Sequence, residues 1–197
     1  RPERENCDGY AYDPEHPSQH IIDMSENEIE VPEDYTREEL RQDLLCYTSP
    51  VLKENLVLTG DMTAELYISS DAPDTDFVVR VTDVDENGRS IKLADGLLSA
   101  RYRNGFARSE FLQEGEIVCL KIRTTKLSNC FRKGHRIRVT VTSSAKNFIF
   151  PNSNTREGFA SARTVVAQIS MGSCSTQPGW GKICRKGYCA LATISPR

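Results

Sequence analysis

Apolar and polar residues alternate with a period of two along most of this chain, as in β-strands that bury one face. The stretch 62–69 is typical, because Met62, Ala64, Leu66 and Ile68 fall on one side and mostly polar residues fall between them. The same alternation recurs at 77–82, 118–123 and 135–142. Ile91 and Leu93 resume the apolar face of the 77–82 strand, and shorter apolar runs at 44–48, 56–58 and 163–169 bring the prediction to about eight strands.

Turn signals, rather than helices, separate these predicted strands. Asp85, Glu86, Asn87 and Gly88 lie between two of them, and Asn-Gly favours the positive φ values of a tight hairpin. The one predicted helix runs from Thr36 to Asp43. There Thr36 and Glu39 have the spacing of a capping box, and Leu40 offers an apolar contact.

Many short strands joined by turns indicate an all-β fold, an antiparallel β-sandwich. We assign the sandwich to residues 35–169. Residues 1–34 are polar and contain several prolines, which predicts an extended lead-in or interdomain linker whose histidines, His16 and His20, are solvated. Residues 170–197 are rich in glycine and cysteine, and we expect this tail to be poorly ordered.

Composition narrows the classes of partner. The chain has 197 residues and a net charge of −3, and its basic residues are dispersed, so neither nucleic acid nor an anionic membrane surface is an expected partner. No apolar run reaches the length of a membrane span.

The seven cysteines are most simply explained as thiols in a reducing compartment, which predicts a cytoplasmic protein. Cys174, Cys184 and Cys189 crowd the tail. For these three, a zinc site completed by a ligand from elsewhere and a disulfide remain alternatives.

Four blocks of sequence resemble one known family: SDAPDTDF at 70–77, VTDV with NGR within 81–89, DGLLSARYR at 95–103 and GHRIRV at 134–139. They follow the order found in the carboxy-terminal domain of the X-prolyl dipeptidyl aminopeptidase and cocaine esterase group of serine hydrolases. The resemblance covers roughly 10–168. It implies a jelly roll of the galactose-binding type.

The resemblance implies a hydrolase as the parent protein, but not an active enzyme in this chain. The family cleaves esters or X-prolyl peptides with a Ser-His-Asp triad whose serine stands on a Gly-x-Ser-x-Gly-like turn. The sequence contains neither this turn nor the strand–helix alternation that would hold it. We therefore assign no catalytic residue, cofactor or metal, and expect the chain to be inactive alone.

The acidic loop before the central hairpin is the candidate site. Asp71, Asp74 and Asp76 could fix the loop through Asx-type turns, contact another domain, or chelate calcium, and Phe77 would anchor the loop in the core. In the resembling family, the jelly roll walls the substrate cleft. Asp71, Asp74, Asp76 and Phe77 are therefore the candidates for a cleft-facing edge.

A second block, His135, Arg136 and Arg138, is expected to be structural. His135 begins a strand, where a side chain commonly bonds a neighbouring carbonyl or carboxylate, and the arginines can pair with carboxylates on an adjacent strand. Anion binding by the two arginines is the alternative.

Two functions remain open. The resemblance predicts an accessory domain that packs on the catalytic α/β-hydrolase domain of its parent chain, shapes the substrate cleft and helps to form homo-oligomers. The alternative is a free-standing module that binds carbohydrate or another ligand. A large exposed apolar patch favours the first function, and aromatic side chains on one concave face favour the second.

Overall fold

The computed structural model describes residues 7–22, 32–157, 164–172, 183–185 and 188–193. These residues form ten β-strands and two 3-10 helices, Glu38–Leu40 and Ala100–Tyr102. The strands are β1 (Cys7–Tyr12), β2 (Leu44–Thr48), β3 (Leu56–Ser70), β4 (Asp76–Val84), β5 (Ser90–Ser99), β6 (Val118–Phe131), β7 (Arg136–Thr142), β8 (Ala167–Gly172), β9 (Ile183–Arg185) and β10 (Tyr188–Thr193).

The strands form two antiparallel sheets. One sheet has the order β1-β8-β3-β6. In the same sheet, β10 pairs with residues 63–65 of β3, and β9 pairs with β10. The second has the order β2-β7-β4-β5. The prediction of an all-β antiparallel sandwich is confirmed. Strands β1, β2, β3 and β4 pair in turn with β8, β7, β6 and β5. A jelly roll requires such nesting, and this narrower type stays a prediction.

The core lies between the two sheets. The predicted inward residues of β3, β6 and β7 are buried in one apolar cluster, so these facing assignments are confirmed. They comprise Met62, Ala64, Leu66, Ile68, Val118, Leu120, Ile122, Ile137, Val139 and Val141. Phe77, Val79 and Val81 of β4 join the same cluster.

The outer face of the four-stranded sheet is also buried, contrary to the pattern-based prediction. Arg80 and Thr82 of β4, and Thr140 and Thr142 of β7, were expected to face water, yet all four are almost inaccessible. The reason is that residues 13–22 and 32–43, which we call the strap, cross this face. Period-two alternation shows that one face of a strand is polar, but it does not show whether that face contacts water or another polar segment of the protein.

Polar contacts hold the strap on the sheet. Ser18 donates its backbone N–H to Ser144 Oγ, and Thr142 Oγ1 donates to the Asp43 carbonyl. The Arg80 guanidinium lies 4.6 Å from the centre of the Tyr35 ring, a cation–π contact. The sheet therefore supports a second polar layer in addition to the apolar core.

His20 belongs to this layer, so the prediction that it is solvated was wrong. The residue is 4% exposed, its Nδ1 donates to the Ile22 carbonyl, and its Nε2 lies 3.0 Å from Lys92 Nζ. Lys92 also lies 2.6 Å from Glu33 Oε1 and donates to Asp95 Oδ2 at 3.0 Å. The distances place His20 in a buried charge cluster. His16, in contrast, is exposed.

The predicted helix over Thr36–Asp43 shrinks to the single 3-10 turn Glu38–Leu40. Thr36 Oγ1 donates to Asp34 instead of capping the helix, and Leu40 is 77% exposed. Glu39 is buried and accepts hydrogen bonds from Ser90 and Arg138 of the sheet. These long-range bonds to Glu39 replace the local capping box.

The structure also differs from the predicted boundaries of the sandwich. Strand β1 lies within the presumed lead-in and pairs with β8 along its whole length. Within the predicted tail, β9 and β10 form a hairpin, and β10 pairs with β3. Residues 170–172 of the predicted tail complete β8, and the other tail residues, for which we also predicted poor order, lie outside the described residues. Across the described ranges, no helix is long and apolar enough to cross a membrane.

The strand registers bring the long connections to one end of the sandwich. Tyr12 pairs with Ala167, Ser70 with Ile169, Leu44 with Thr142 and Asp76 with Ser99. The connections 13–43, 71–75, 100–117 and 143–166 consequently leave the same end, which we call the loop-rich end. The short connections 49–55, 85–89 and 132–135 leave the opposite end, the turn end.

The charge cluster beneath the strap should make stability depend on pH. Burial by itself raises the pKa of Asp95, but the His20 hydrogen bond and the Lys92 ammonium outweigh it and lower the pKa to about 2. Because the ordinary pKa is about 3.9, the stabilisation by Asp95 is complete above about pH 4 and is lost as the pH falls towards 2.

We therefore expect Asp95→Asn to lower the free energy of unfolding by about 2 kcal/mol more at pH 6 than at pH 2. Urea denaturation of both proteins at a series of pH values measures this difference. A difference that is the same at both pH values would contradict the assignment.

Candidate functional site

The loop-rich end rests on a buried polar network. Asp74 accepts hydrogen bonds from the backbone N–H of Arg101 at 2.9 Å and from its Nε at 2.7 Å. Asn152 Nδ2 donates to Asp74 Oδ2 at 2.6 Å and to Asp76 Oδ1 at 2.9 Å. The network thus joins three of the four long connections, since Asp74, Arg101 and Asn152 each come from a different one.

Side chains of the acidic loop itself explain its backbone conformation. Ser70 Oγ accepts the N–H of Ala72, and Asp71 Oδ1 accepts the N–H of Gln168, so polar side chains near the start of the loop fix its backbone. At its other end, the Phe77 side chain is completely buried in the core. The loop is therefore held at both ends.

The two buried aspartates differ in charge environment. Asp74 faces the Arg101 guanidinium in a buried ion pair. Burial raises the pKa of Asp76, the neighbouring Asp74 raises it further, and the hydrogen bonds from Ser99 and Asn152 oppose the rise. The network accordingly contains one carboxylate paired with a guanidinium and one carboxyl group that ionises less readily than an aspartate in water.

An apolar groove of about 580 Å³ opens at the loop-rich end. It is lined mainly by prolines and phenylalanines: Pro14, Glu15, Pro17, Lys146, Asn147, Phe148, Ile149, Phe150 and Pro151. Phe150 is 81% exposed and Phe148 is 42% exposed. The His20 ring stacks on Phe148 with 4.8 Å between the ring centres, so the strap supports the groove from beneath.

A smaller hollow of about 380 Å³ lies beside the acidic loop. Three segments line it: Asp71–Pro73, Asn154–Glu157 and Val165–Val166. Asn154 has a φ of 61°, in the left-handed region where asparagine is tolerated better than most residues. Val165 and Val166 are among the exposed large apolar residues of the described chain. The loop-rich end therefore carries two concave regions, the apolar groove and the small hollow, in addition to the buried polar network.

The structure separates the four loop candidates. Asp71 is exposed at the small hollow, whereas Asp74, Asp76 and Phe77 are buried beneath it. The carboxylates of Asp74 and Asp76 are engaged by Arg101 and Asn152, and Asp71 is engaged by Gln168. Among the residues that the structure describes, no group of three His, Cys, Asp or Glu side chains is placed to hold a metal ion, so the calcium alternative gains no support.

The second predicted block lies away from the loop-rich end. His135 Nδ1 is 2.9 Å from Asp83 Oδ1, and Arg136 Nη1 donates to the Ser49 carbonyl at 3.3 Å. Arg138 pairs with Glu39 of the strap, not with a carboxylate of the adjacent strand. Each of the three side chains contacts the protein itself.

Sequence reasoning did not single out Arg101, Asn152, Phe148 or Phe150. Arg101 and Asn152 become partners of Asp74 only through contacts between residues that are distant in sequence. The phenylalanines did leave a signal, since the apolar run 148–151 falls in a predicted loop, where apolar side chains have no strand to bury them.

Comparison with known proteins identifies a family that matches most of this chain. The family model for the X-Pro dipeptidyl-peptidase C-terminal non-catalytic domain matches residues 4–174. The chain is also similar to cocaine esterase from Rhodococcus sp. (strain MB1 Bresler), with 37% identity over 175 residues. That alignment covers 85% of the chain but only 30% of the esterase.

Solved structures support the same fold. An aminopeptidase from the marine sediment archaeon Thaumarchaeota archaeon gives a TM-score of 0.77 at 25% identity, over 84% of this chain and 31% of that protein. An alpha-amino acid ester hydrolase gives a TM-score of 0.71 at 21% identity, over 85% of this chain and 30% of the hydrolase. The chain thus spans about a third of the length of these relatives.

The buried network predicts that two neighbouring aspartates respond differently to the same substitution. Asp74→Asn leaves the Arg101 guanidinium buried without its counter-charge and should lower the free energy of unfolding by about 3–5 kcal/mol. Asp76→Asn, the matched control, leaves the Asp74–Arg101 ion pair intact, and the asparagine oxygen can still accept from Asn152, so it should cost about 1 kcal/mol or less. Urea denaturation near pH 7 measures both, and equal losses would contradict the assigned network.

Proposed function

The chain belongs to the family of X-Pro dipeptidyl-peptidase C-terminal non-catalytic domains, and from this premise we propose that it packs on the catalytic part of a larger serine hydrolase. In this proposal the loop-rich end contacts the catalytic part and forms one wall of its substrate cleft. Nucleophile, general base and oxyanion hole belong to the catalytic part. The present chain shapes the substrate cleft and does not take part in bond breaking.

One observation carries the proposal: exposed apolar side chains are concentrated at the loop-rich end. Phe148, Phe150, Val165 and Val166 all project there from the connection between β7 and β8. Large apolar side chains exposed together commonly mark a protein–protein contact, and aromatic residues contribute strongly to such contacts. Phe150, the most exposed of the four, is the expected anchor residue.

The buried polar network beneath this surface supports the same role. A surface that shapes a cleft must keep its geometry, and the bonds from Asp74 to Arg101 and Asn152 hold three connections together. Within the acidic loop, Asp71 is the residue placed to reach a partner, while Asp74, Asp76 and Phe77 keep the loop in position. The four candidates therefore have two different roles in the proposal.

The names of two relatives, an esterase and an aminopeptidase, support a proposal about the substrate class of the complete protein. We propose that the complete protein hydrolyses an ester or a peptide bond. The choice between them depends on the catalytic part. Formation of homo-oligomers remains a further proposal, independent of the loop-rich end.

A free-standing binding module is the competing function. The apolar groove is concave and contains two phenylalanines, which are features of a ligand site. Among the described residues that line it, three side chains have polar ends, Glu15, Lys146 and Asn147. A carbohydrate needs many hydrogen bonds, so this lining favours contact with an apolar protein surface over contact with a sugar.

Phe150→Ser tests the docking surface. Because the Phe150 side chain is largely exposed, the substitution should leave the free energy of unfolding nearly unchanged while weakening association with the separately expressed catalytic part by about tenfold or more. Val57→Ser is the control, since Val57 is 67% exposed but belongs to β3 near the turn end.

Isothermal titration calorimetry measures the association, and hydrolysis of a p-nitrophenyl ester and an X-Pro-p-nitroanilide follows the activity of the mixture. We expect no turnover by this chain alone and a gain in activity or stability on mixing. Equal affinity of Phe150→Ser and the unsubstituted chain would refute docking through this end. Turnover by the chain alone would refute the non-catalytic role.

A further inference from the structure

A series of contacts leads from the buried polar network to an exposed arginine. Arg101, whose Nε donates to Asp74 at 2.7 Å, places its guanidinium 5.1 Å from the centre of the Phe111 ring. The same ring centre lies 4.8 Å from the guanidinium of Arg156, an exposed residue. Both distances fall within the range of a cation–π contact. The Phe111 ring therefore connects a buried, paired arginine with an arginine at the surface of the loop-rich end.

The backbone next to Arg156 is also held in place. Arg101 Nη2 donates to the Thr155 carbonyl at 3.3 Å, and the hydroxyl groups of Ser153 and Thr155 lie 2.9 Å apart. Asn154, between those two residues, is 1% exposed and makes two hydrogen bonds within the chain. The main chain that leads to Arg156 and the ring beneath its guanidinium are thus both positioned by the buried network.

In the described part of the chain, Arg156 has no counter-ion. Arg101 pairs with Asp74, whereas no carboxylate of the described residues lies within ion-pair distance of Arg156. This includes the adjacent Glu157, which has an interaction of its own. The contact with Phe111 uses no N–H group of the guanidinium as a hydrogen-bond donor, so donors remain for another acceptor.

The form of the guanidinium defines the acceptor. Its planar set of N–H donors matches the two oxygens of a carboxylate, which it can bind with two parallel hydrogen bonds. Phosphate has a similar match, but the net charge of −3 and the dispersed basic residues disfavour a nucleic acid. Because the side chain is already positioned, ordering it in an interface costs less entropy than ordering a free arginine.

We propose that Arg156 binds an aspartate or glutamate side chain of the catalytic part. The carboxylate accepts two N–H groups of the guanidinium, while the Phe111 ring keeps the guanidinium in place. This inference rests on the proposed docking of the loop-rich end and adds the chemistry of one contact to it. Phe150 then supplies an apolar part of the interface, and Arg156 supplies a charged part.

Acetate tests the site without the catalytic part. Replacement of chloride by acetate at constant ionic strength should shift the Nε–H NMR signal of Arg156 more than that of Arg132, an exposed arginine at the turn end. Phe111→Leu removes the cation–π contact and should reduce this difference, and urea denaturation checks that the variant is folded. Equal responses of Arg156 and Arg132 in the unsubstituted chain would overturn the proposal.

Two substitutions of Arg156 separate its charge from its geometry. Arg156→Gln should weaken association with the separately expressed catalytic part about tenfold. Arg156→Lys keeps the charge but lacks the planar set of donors, so its affinity should lie between those of Arg156→Gln and the unsubstituted chain. The control Arg132→Gln makes the same change of charge at the turn end and should associate like the unsubstituted chain.

Salt dependence distinguishes the proposed contact from a structural role of Arg156. Added salt should weaken association of the unsubstituted chain more than that of Arg156→Gln, because only the former makes the ion pair. The midpoint of urea denaturation should be nearly the same for both, since the side chain is exposed.

The outcomes separate this inference from the proposed function. If the unsubstituted chain associates and Arg156→Gln associates equally well, the inference fails although docking through the loop-rich end stands. Equal salt dependence of the two chains would likewise overturn the inference alone. If the unsubstituted chain does not associate with the catalytic part, the proposed function fails, and the inference fails with it.

Discussion

Each strand of the eight-strand core runs antiparallel to its neighbours, and this constraint decides which connections meet. Because β1, β2, β3 and β4 pair in turn with β8, β7, β6 and β5, the chain leaves the same end after β1, β3, β5 and β7. Those four connections include every segment that forms the apolar groove and the small hollow. The candidate surface is thus a consequence of strand pairing, since its residues come from regions up to about 150 positions apart in the chain.

Buried polar groups hold the connections beneath the candidate surface together. Asp74, Arg101 and Asn152 join three connections under the loop-rich end, and the strap supports Phe148 through His20. Buried charges are costly unless they are paired, so these groups specify one arrangement of the loops more than they add to stability. The exposed phenylalanines above them remain available for a partner. In the proposed docking, separate residues therefore position the surface and make the contact.

The sequence predicted the inward faces well because apolar alternation reports directly on a two-sheet core. The prediction failed for the outer faces of β4 and β7. Arg80, Thr82 and Thr140 were predicted to be exposed to solvent, but they lie under the strap. The sequence did contain one signal. Val78 also lies on the outer side of β4, and an apolar residue on that face indicates that another segment covers it, as the burial of Val78 shows. Asp71 and Phe77 drew attention to the acidic loop, whose role as a cleft-facing edge stays a prediction. Gln168 and Arg101, the partners of Asp71 and Asp74, could not be inferred, because pairing between distant segments has no local pattern.

Hydrogen–deuterium exchange of this chain, alone and with the separately expressed catalytic part, tests the central claim most directly. The account predicts slower exchange on mixing in the connections of the loop-rich end, above all in residues 71–75 and 144–157. The turns at 85–89 and 132–135 should exchange at the same rate in both samples. Protection confined to those turns, or no protection at either end under conditions in which the two parts associate, would contradict docking through the loop-rich end.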